Sequence, residues 1–263
     1  MDFKNLTVSQ IKNLLNEIEI IDENIDEVIN SLLKDVRISV NKLAKQVENK
    51  YDILKNNRIM NEKFYGFDKE YILNNNYVVA GCDEVGRGPL AGPIVCASVV
   101  LDLYNSSKII SDINDSKKIK SRYFRKVLSD KIMENAKNFK IIEISNDEID
   151  NIGISEANQK GFRDSILGLN MDIDLVLSDG YPVKNLNFRN IHVVKGDTKS
   201  ASIMCASIIA KVYRDELMFR YHDEFPQYDF LNNVGYGTKK HLEAIKKFGI
   251  CKYHRKTFLK NYI

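Results

Sequence analysis

Two adjacent carboxylates, Asp83 and Glu84, interrupt an otherwise apolar stretch of this chain. Tyr77-Val78-Val79-Ala80 precedes them, and Ile94-Val95-Cys96-Ala97-Ser98-Val99-Val100-Leu101 follows shortly after. Both runs are rich in β-branched residues and read as buried strands, spanning 77–82 and 92–102. The acids are therefore expected where the first strand meets the turn Gly86-Arg87-Gly88-Pro89, at the edge of a hydrophobic core. Charge in such a place is costly unless a cationic side chain or a metal ion compensates it.

The remaining pattern describes a helical N-terminus followed by an α/β domain. Thr7-Val8-Ser9-Gln10 has the form of a capping box, and Ile11, Leu14, Leu15, Ile18 and Ile21 recur at helical spacing. A second helix is expected on the apolar stripe Val36, Val40, Leu43, Ala44 and Val47, with Arg37, Lys42, Lys45 and Lys50 on its polar face. That basic face could touch a nucleic acid or brace the rest of the protein. Leu73-Asn74-Asn75-Asn76 is a polar break, so residues 1–73 are expected as a helical extension and 74–263 as the main domain, with a basic helical C-terminal region. Within the latter, a helix over 121–138 precedes a strand at 140–144, and a helix around 155–169 precedes the strand Asp174-Leu175-Val176-Leu177-Ser178-Asp179. Ile191-His192-Val193-Val194 is a further strand, and a long helix runs from Ser200 to about Phe225. Two strands followed by alternating helices and strands imply a mixed sheet covered by helices. Gly161 falls within an expected helix, where it costs about 1 kcal/mol relative to alanine.

Composition excludes several classes. With 263 residues and 44% hydrophobic content, the chain can bury a sizeable core. Cys82, Cys96, Cys205 and Cys251 are widely spaced among apolar neighbours, which argues against a zinc ribbon and for reduced thiols. No signal-like N-terminus or membrane-length apolar run is present, so a cytoplasmic protein without membrane contact is expected. The net charge of +3 is small but unevenly spread. From Leu231 to Ile263, Lys239, Lys240, Lys246, Lys247, Lys252, Arg255, Lys256 and Lys260 face only Glu243. Tyr236, Phe248, Tyr253, Phe258 and Tyr262 are interleaved with them. That mixture suits phosphate neutralisation and sugar or base stacking, and it equally suits a solvated basic tail.

Asp179 and Asp215 join the opening pair as candidate metal ligands if the sheet is continuous. Clustered carboxylates recruit Mg²⁺ or Mn²⁺, and two such ions serve phosphoryl chemistry by placing hydroxide and stabilising the leaving oxygen. Each acid has a plainer alternative: Glu84 or Asp83 paired with Arg87, Asp179 as the first residue of an Asp-Gly turn, Asp215 as a helix-surface acid. Gly86-Arg87-Gly88 lacks the Walker lysine and the dinucleotide spacing, and its glycines suit close approach of a nucleic-acid backbone instead.

Asp83-Glu84-Val85-Gly86-Arg87-Gly88-Pro89-Leu90-Ala91-Gly92-Pro93 resembles the signature of type 2 ribonuclease H, ribonuclease HII. Four further segments match that family in order: Asn114-Asp115-Ser116-Lys117-Lys118, Ser178-Asp179-Gly180, Lys195-Gly196-Asp197 leading to Ala210-Lys211-Val212-Tyr213-Arg214-Asp215, and Gly235-Tyr236-Gly237-Thr238 with His241. The resemblance covers residues 77 to 258 and implies a ribonuclease H-like mixed five-stranded sheet flanked by helices. The N-terminal helices resemble an extension found in some bacterial members.

By that resemblance, Asp83, Glu84, Asp179 and Asp215 are the active-site carboxylates, holding Mn²⁺ or Mg²⁺, two ions during catalysis. Gly86, Arg87 and Gly88 match the segment that recognises the ribonucleotide 2′-OH, and Tyr236 the tyrosine that stacks on the following deoxyribose. Lys117, Lys211 and Arg214 fall in motif positions that contact phosphates. The implied activity is endonucleolytic hydrolysis of RNA in RNA–DNA hybrids and incision 5′ to single ribonucleotides in duplex DNA, leaving 3′-hydroxyl and 5′-phosphate ends. The 2′-OH is what separates RNA from DNA, so sugar recognition and chemistry would share one turn. His192, His222, His241 and His254 are expected to be structural or phosphate-contacting rather than general bases. A monomer is expected, and a sliding-clamp partner finds no support in the short tail Asn261-Tyr262-Ile263. Two rivals stand beside this reading. Type 3 ribonuclease H, with its different N-terminal sheet domain, is opposed by the glycines, Tyr236 and the helical N-terminus; a noncatalytic hybrid-binding protein is opposed by the four acids.

Overall fold

The computed structural model describes residues 3–17, 25–72, 77–105, 108–110, 113 and 121–260. Lys117 and the 114–118 motif lie outside the described residues. The chain divides into two compact units, residues 1–62 and 63–263.

In the first unit, α1 (Val8–Glu17), α2 (Ile25–Leu33) and most of α3 (Ile38–Lys69) enclose a core of Phe3, Ile11, Leu15, Ile25, Val28, Ile29, Leu32, Val40 and Ala44. The capping box forms as expected: Gln10 N donates to Thr7 Oγ1 at 3.3 Å, and Thr7 N donates to Gln10 Oε1 at 2.9 Å. α2 was not anticipated, although Ile25, Val28, Ile29 and Leu32 have the i, i+3, i+4, i+7 spacing of a buried face. Arg37 precedes α3 and faces inward. Its guanidinium donates to Leu6 O at 2.6 Å, Phe3 O at 2.9 Å and Asp35, whose carboxyl it holds down to about 2. Arg37 therefore locks the α2–α3 turn and is not part of a basic helix face.

α3 is longer than expected, and its C-terminal end, from Lys63, belongs to the second compact unit. Two side chains tie that end of the helix to the unit. Tyr65 accepts a hydrogen bond from Ile110 N at 3.0 Å, and Asp68 Oδ2 accepts from Ser202 N and Oγ, both at 2.8 Å. Burial raises the Asp68 carboxyl to about 6, against hydrogen bonds that favour its charged form. Because this lies above the ordinary 3.8 of an exposed group, the folded chain keeps a proton that the unfolded chain has lost between those pH values. The stability contribution of Asp68 therefore falls as pH rises through about 4 to 6, by about 3 kcal/mol in all. Asp68→Asn removes the titration, so thermal melts at pH 4 and pH 7 are expected to show the variant gaining on the wild type as pH rises. An unchanged gap between them would refute the assignment.

The second unit is built on five strands, β1 (Val79–Val85), β2 (Ile94–Val100), β3 (Asn138–Ile144), β4 (Leu175–Asp179) and β5 (Asn190–Val193), in the order β3-β2-β1-β4-β5. β1 pairs antiparallel with β2 and parallel with β4, giving the expected mixed sheet. The helices are α4 (Arg122–Asn135), α5 (Asn146–Ile152), α6 (Ile154–Leu167), α7 (Ala201–Glu224), α8 (Phe230–Asn233) and α9 (Lys239–Phe248). α5 was not anticipated, whereas α9 is the helix of the expected basic C-terminal region; Ser145 and Thr238 cap the two, accepting from Glu148 N at 3.1 Å and His241 N at 3.3 Å.

α6 and α7 cover opposite faces of the sheet through glycines. A Cβ at Gly161 would lie 2.4 Å from Cys96 Sγ, so this helical glycine lets α6 approach β2. On the other face, a Cβ at Gly81 would lie 2.3 Å from Ile203 N and from the carbonyl carbon of Ser202, so bare backbone lets α7 rest on β1. Cys82, Cys96 and Cys205 are buried free thiols, as expected, while Cys251 is half-buried. No helix among the described residues is long and apolar enough to cross a membrane.

Candidate active site

Asp83 and Glu84 lie within β1, not beyond its end, paired with Ala97 and Cys96 of β2. The strand runs past them to Val85 because β2 supplies ladder partners along this whole length. Strand alternation then separates the two side chains. Asp83 shares the α7 face with Gly81, and Ser207 of α7 hydrogen-bonds its carboxylate. Glu84 shares the α6 face with Cys96.

Asp179 ends β4. Cys82 pairs with Ser178, so Asp83 and Asp179 are the next residues along adjacent parallel strands and project to the same face. Asp179 Oδ1 accepts a hydrogen bond from Gly196 N at 2.6 Å, and Gly180 turns the chain with φ +68°. The Asp-Gly turn and the carboxylate position thus coexist. A Cβ at Gly196 would meet the tip of the Ile203 side chain at 2.6 Å and stand 3.4 Å from Asp179 Oδ1, so glycine suits this close approach. Asp215 lies on α7 two turns beyond Ser207, with Lys211 between them on the same stripe. Lys211 Nζ donates to Asp215 Oδ1 at 2.5 Å.

The acids carry strained charges. Burial pushes the Asp83 carboxyl well above its ordinary range, and the charges of Glu84 and Asp179 push it further. Burial lifts Glu84 to about 7 despite Arg87, whose Nη1 stands 3.4 Å from Glu84 Oε1. Glu84 Oε2 is buried without a hydrogen-bond partner. Among the described residues, no three His, Cys, Asp or Glu side chains stand together as a ready metal cage. Alternation holds Glu84 on the other side of β1, and Lys211 engages Asp215. Even so, an orphaned carboxylate oxygen beside buried, mutually repelling acids fits a hard divalent cation whose remaining ligands are water and phosphate oxygens.

The turn after β1 lies against Tyr236. A Cβ at Gly88 would be 3.8 Å from Tyr236 Cε1, and Tyr236 is 45% exposed. The Arg87 guanidinium lies 5.2 Å from the centroid of Tyr181, an exposed aromatic that the sequence reading passed over.

The profile described as Ribonuclease HII matches residues 80–261, and that of the Ribonuclease HII N-terminal domain matches residues 7–72. A ribonuclease HII of Clostridium novyi (strain NT) is 50% identical over 268 residues, covering 100% of this chain and 99% of its own length. The chain belongs to the ribonuclease HII family. As a ribonuclease HII it is an endoribonuclease that acts on RNA–DNA hybrids and depends on divalent metal. The fold is also that of the ribonuclease H2 of Pyrococcus horikoshii OT3, with TM-score 0.59 and 24% identity over 70% of this chain and 100% of the other. Bst-RNase HIII in complex with Mn²⁺ has TM-score 0.55 and 19% identity, over 66% of this chain and 64% of the other.

The structure corrects one ribonuclease HII substrate contact expected from sequence. Arg214 is fully buried and cannot reach a phosphate. Its Nε donates to Pro93 O at 2.9 Å, Nη1 to Val234 O at 2.9 Å and Nη2 to Ala91 O at 3.1 Å. The segment after β1 leaves its carbonyls without ladder partners, and the guanidinium satisfies them. Lys211 is half-exposed and ion-paired with Asp215. The basic C-terminal region divides similarly. Tyr253 stacks on Tyr221 at 3.6 Å between centroids and donates to Glu224, and Phe258 packs into the core, whereas Tyr236 and Phe248 stay exposed. His241 and His254 are buried, which excludes them as phosphate contacts.

Sequence reasoning missed Ser207, Gly196 and Arg255. Gly196 stood inside a quoted motif without a role; Ser207 and Arg255 act through contacts that no local pattern announces.

Proposed function

We propose that this ribonuclease HII incises duplex DNA 5′ to a single embedded ribonucleotide, besides hydrolysing longer RNA strands in hybrids. The observation that carries the reading is the contact of Gly88 with Tyr236, directly beyond the strand that holds Asp83 and Glu84. A sugar seated over Gly86-Arg87-Gly88 meets main-chain groups that can hydrogen-bond a 2′-OH. The next sugar meets the Tyr236 ring, where a 2′-OH would crowd and a deoxyribose would not. An RNA–DNA junction satisfies both tests at once.

Asp83, Glu84, Asp179 and Asp215 are the residues that would hold Mn²⁺ or Mg²⁺, two ions in the full complex. Bound there, such ions lower the pKa of water and stabilise the leaving oxygen. Ser207 and Gly196 aim Asp83 and Asp179. Lys211, released from Asp215, offers its ammonium to the phosphate. Water adds to phosphorus, the P–O3′ bond breaks, and the products are a 3′-hydroxyl and a 5′-phosphate.

The test is a DNA duplex bearing one ribonucleotide, incubated with Mn²⁺ or Mg²⁺ and resolved against size markers. Incision 5′ to the ribonucleotide is expected. Binding without incision, or cutting restricted to continuous RNA runs, would refute the proposal.

A further inference from the structure

Arg255 is fully buried, and all three of its guanidinium nitrogens donate to main-chain carbonyls. Nη2 bonds Gly86 O at 2.6 Å, Nη1 bonds Arg87 O at 3.0 Å, and Nε bonds Gly92 O at 2.9 Å. These carbonyls belong to the turn that leaves β1, where Gly86 has φ +96° and no ladder continues. Burial, then the neighbouring Arg214, pulls the Arg255 pKa down to about 9. Keeping a cation there is expensive, and what it supplies is geometry: a rigid planar fork that fixes the first two residues of the turn relative to its end.

The preceding residue reaches the other sugar contact. Cys251 N donates to His254 Nδ1 at 3.0 Å, which leaves the proton of His254 on Nε2. His254 Nε2 lies 3.0 Å from His241 Nε2, so the latter accepts and its own proton sits on Nδ1. His241 Nδ1 is 2.9 Å from Tyr236 O and donates to it. Burial lowers the pKa of both imidazoles, His254 to about 4, consistent with a neutral pair of defined tautomers. The main chain of the same segment is sewn to the turn as well: Gly92 N donates to Tyr253 O, and Arg255 N donates to Leu90 O, both at 2.8 Å.

We infer that His254 and Arg255, acting with His241, form a positioning unit that sets the spacing between the Gly86–Gly88 turn and Tyr236. This rests on the reading of those two elements as the sugar-recognising groups. Two consecutive residues hold both, one through a guanidinium fork and the other through an imidazole pair. Neither needs to touch the substrate. Their effect is on discrimination, because a junction must satisfy turn and ring together, and a shift of about 1 Å at either degrades the transition state. A continuous RNA hybrid already violates the ring's preference and has less to lose.

Arg255→Lys keeps the charge but cannot span three carbonyls. Its kcat/KM on the single-ribonucleotide duplex is expected to fall tenfold or more, and the ratio of that value to the one on a continuous RNA–DNA hybrid at least fivefold. The rise in Tm on adding Mn²⁺ is expected to match wild type, since the acids are untouched. If Arg255→Lys is recovered only unfolded, His254→Gln, which breaks the imidazole pair, decides by the same ratio. A folded variant that keeps the wild-type ratio, or loses both substrates equally together with the Mn²⁺ response, overturns the inference. Failure of the wild type itself to cut the single-ribonucleotide duplex overturns the reading of the site and the inference with it.

Discussion

Asp83→Asn is expected to reduce cleavage by at least about 10³-fold while leaving the protein as stable as the wild type or more so. The two effects have one cause. Asp83 is buried beside Glu84 and Asp179, and its charge is disfavoured by all three influences. An amide of the same shape still accepts the 2.7 Å hydrogen bond from Glu84 N but carries no charge to be desolvated. What it cannot do is hold a hard cation, and losing transition-state stabilisation worth about 4 kcal/mol corresponds to that factor in rate. Thermal melts with and without Mn²⁺ separate the contributions. Without metal, Tm should match or exceed wild type; with metal, wild type should gain more than the variant. Cleavage within tenfold of wild type would remove Asp83 from the site.

Gly81→Ala is expected to damage stability and activity together. The new Cβ would lie 2.3 Å from Ile203 N and the Ser202 carbonyl carbon, main-chain atoms in the first turn of α7. No side chain can rotate away to relieve this, so α7 must move off β1. Forced overpacking of this kind costs about 3 kcal/mol, which lowers Tm by about 6–12 °C for a unit of this size. The displacement carries Ser207 away from Asp83 and shifts Lys211 and Asp215 along with it. Gly66→Ala provides the control, since that helical glycine has nothing within 4 Å of its would-be Cβ. It is expected to stabilise α3 by up to about 1 kcal/mol. Equal melting of Gly81→Ala and wild type would show that α7 is not seated as described.

Most of the sheet and the long helices were legible because their signals are local. Val79 to Ala80 and Ile94 to Val100 declare themselves by β-branched content, and the Ser200 cap announces α7. Local patterns also misled. The end of the apolar run suggested that β1 stops at Cys82, whereas pairing with Val95 and Cys96 carries it through Val85. A helix as short as α2 escaped notice although its apolar residues are well spaced. Arg214 looked like a phosphate contact because it falls in a motif position of the family that the sequence resembles. The carbonyls it satisfies lie 20 to 123 residues away in the chain.

The residue order alone therefore determined the chemistry on offer: a strand ending in two acids, a glycine-rich turn beyond it, two later acids and a tyrosine, in the order of one enzyme family. Only the tertiary structure decided how these groups stand. It set Asp83 beside Asp179 on the face toward α7 and turned Glu84 to the other face. It buried Arg214 and Arg255 beneath the turn and left Tyr236 exposed against Gly88. The physical reason is that strand register and the satisfaction of buried carbonyls depend on partners distant in the chain, which no local periodicity encodes.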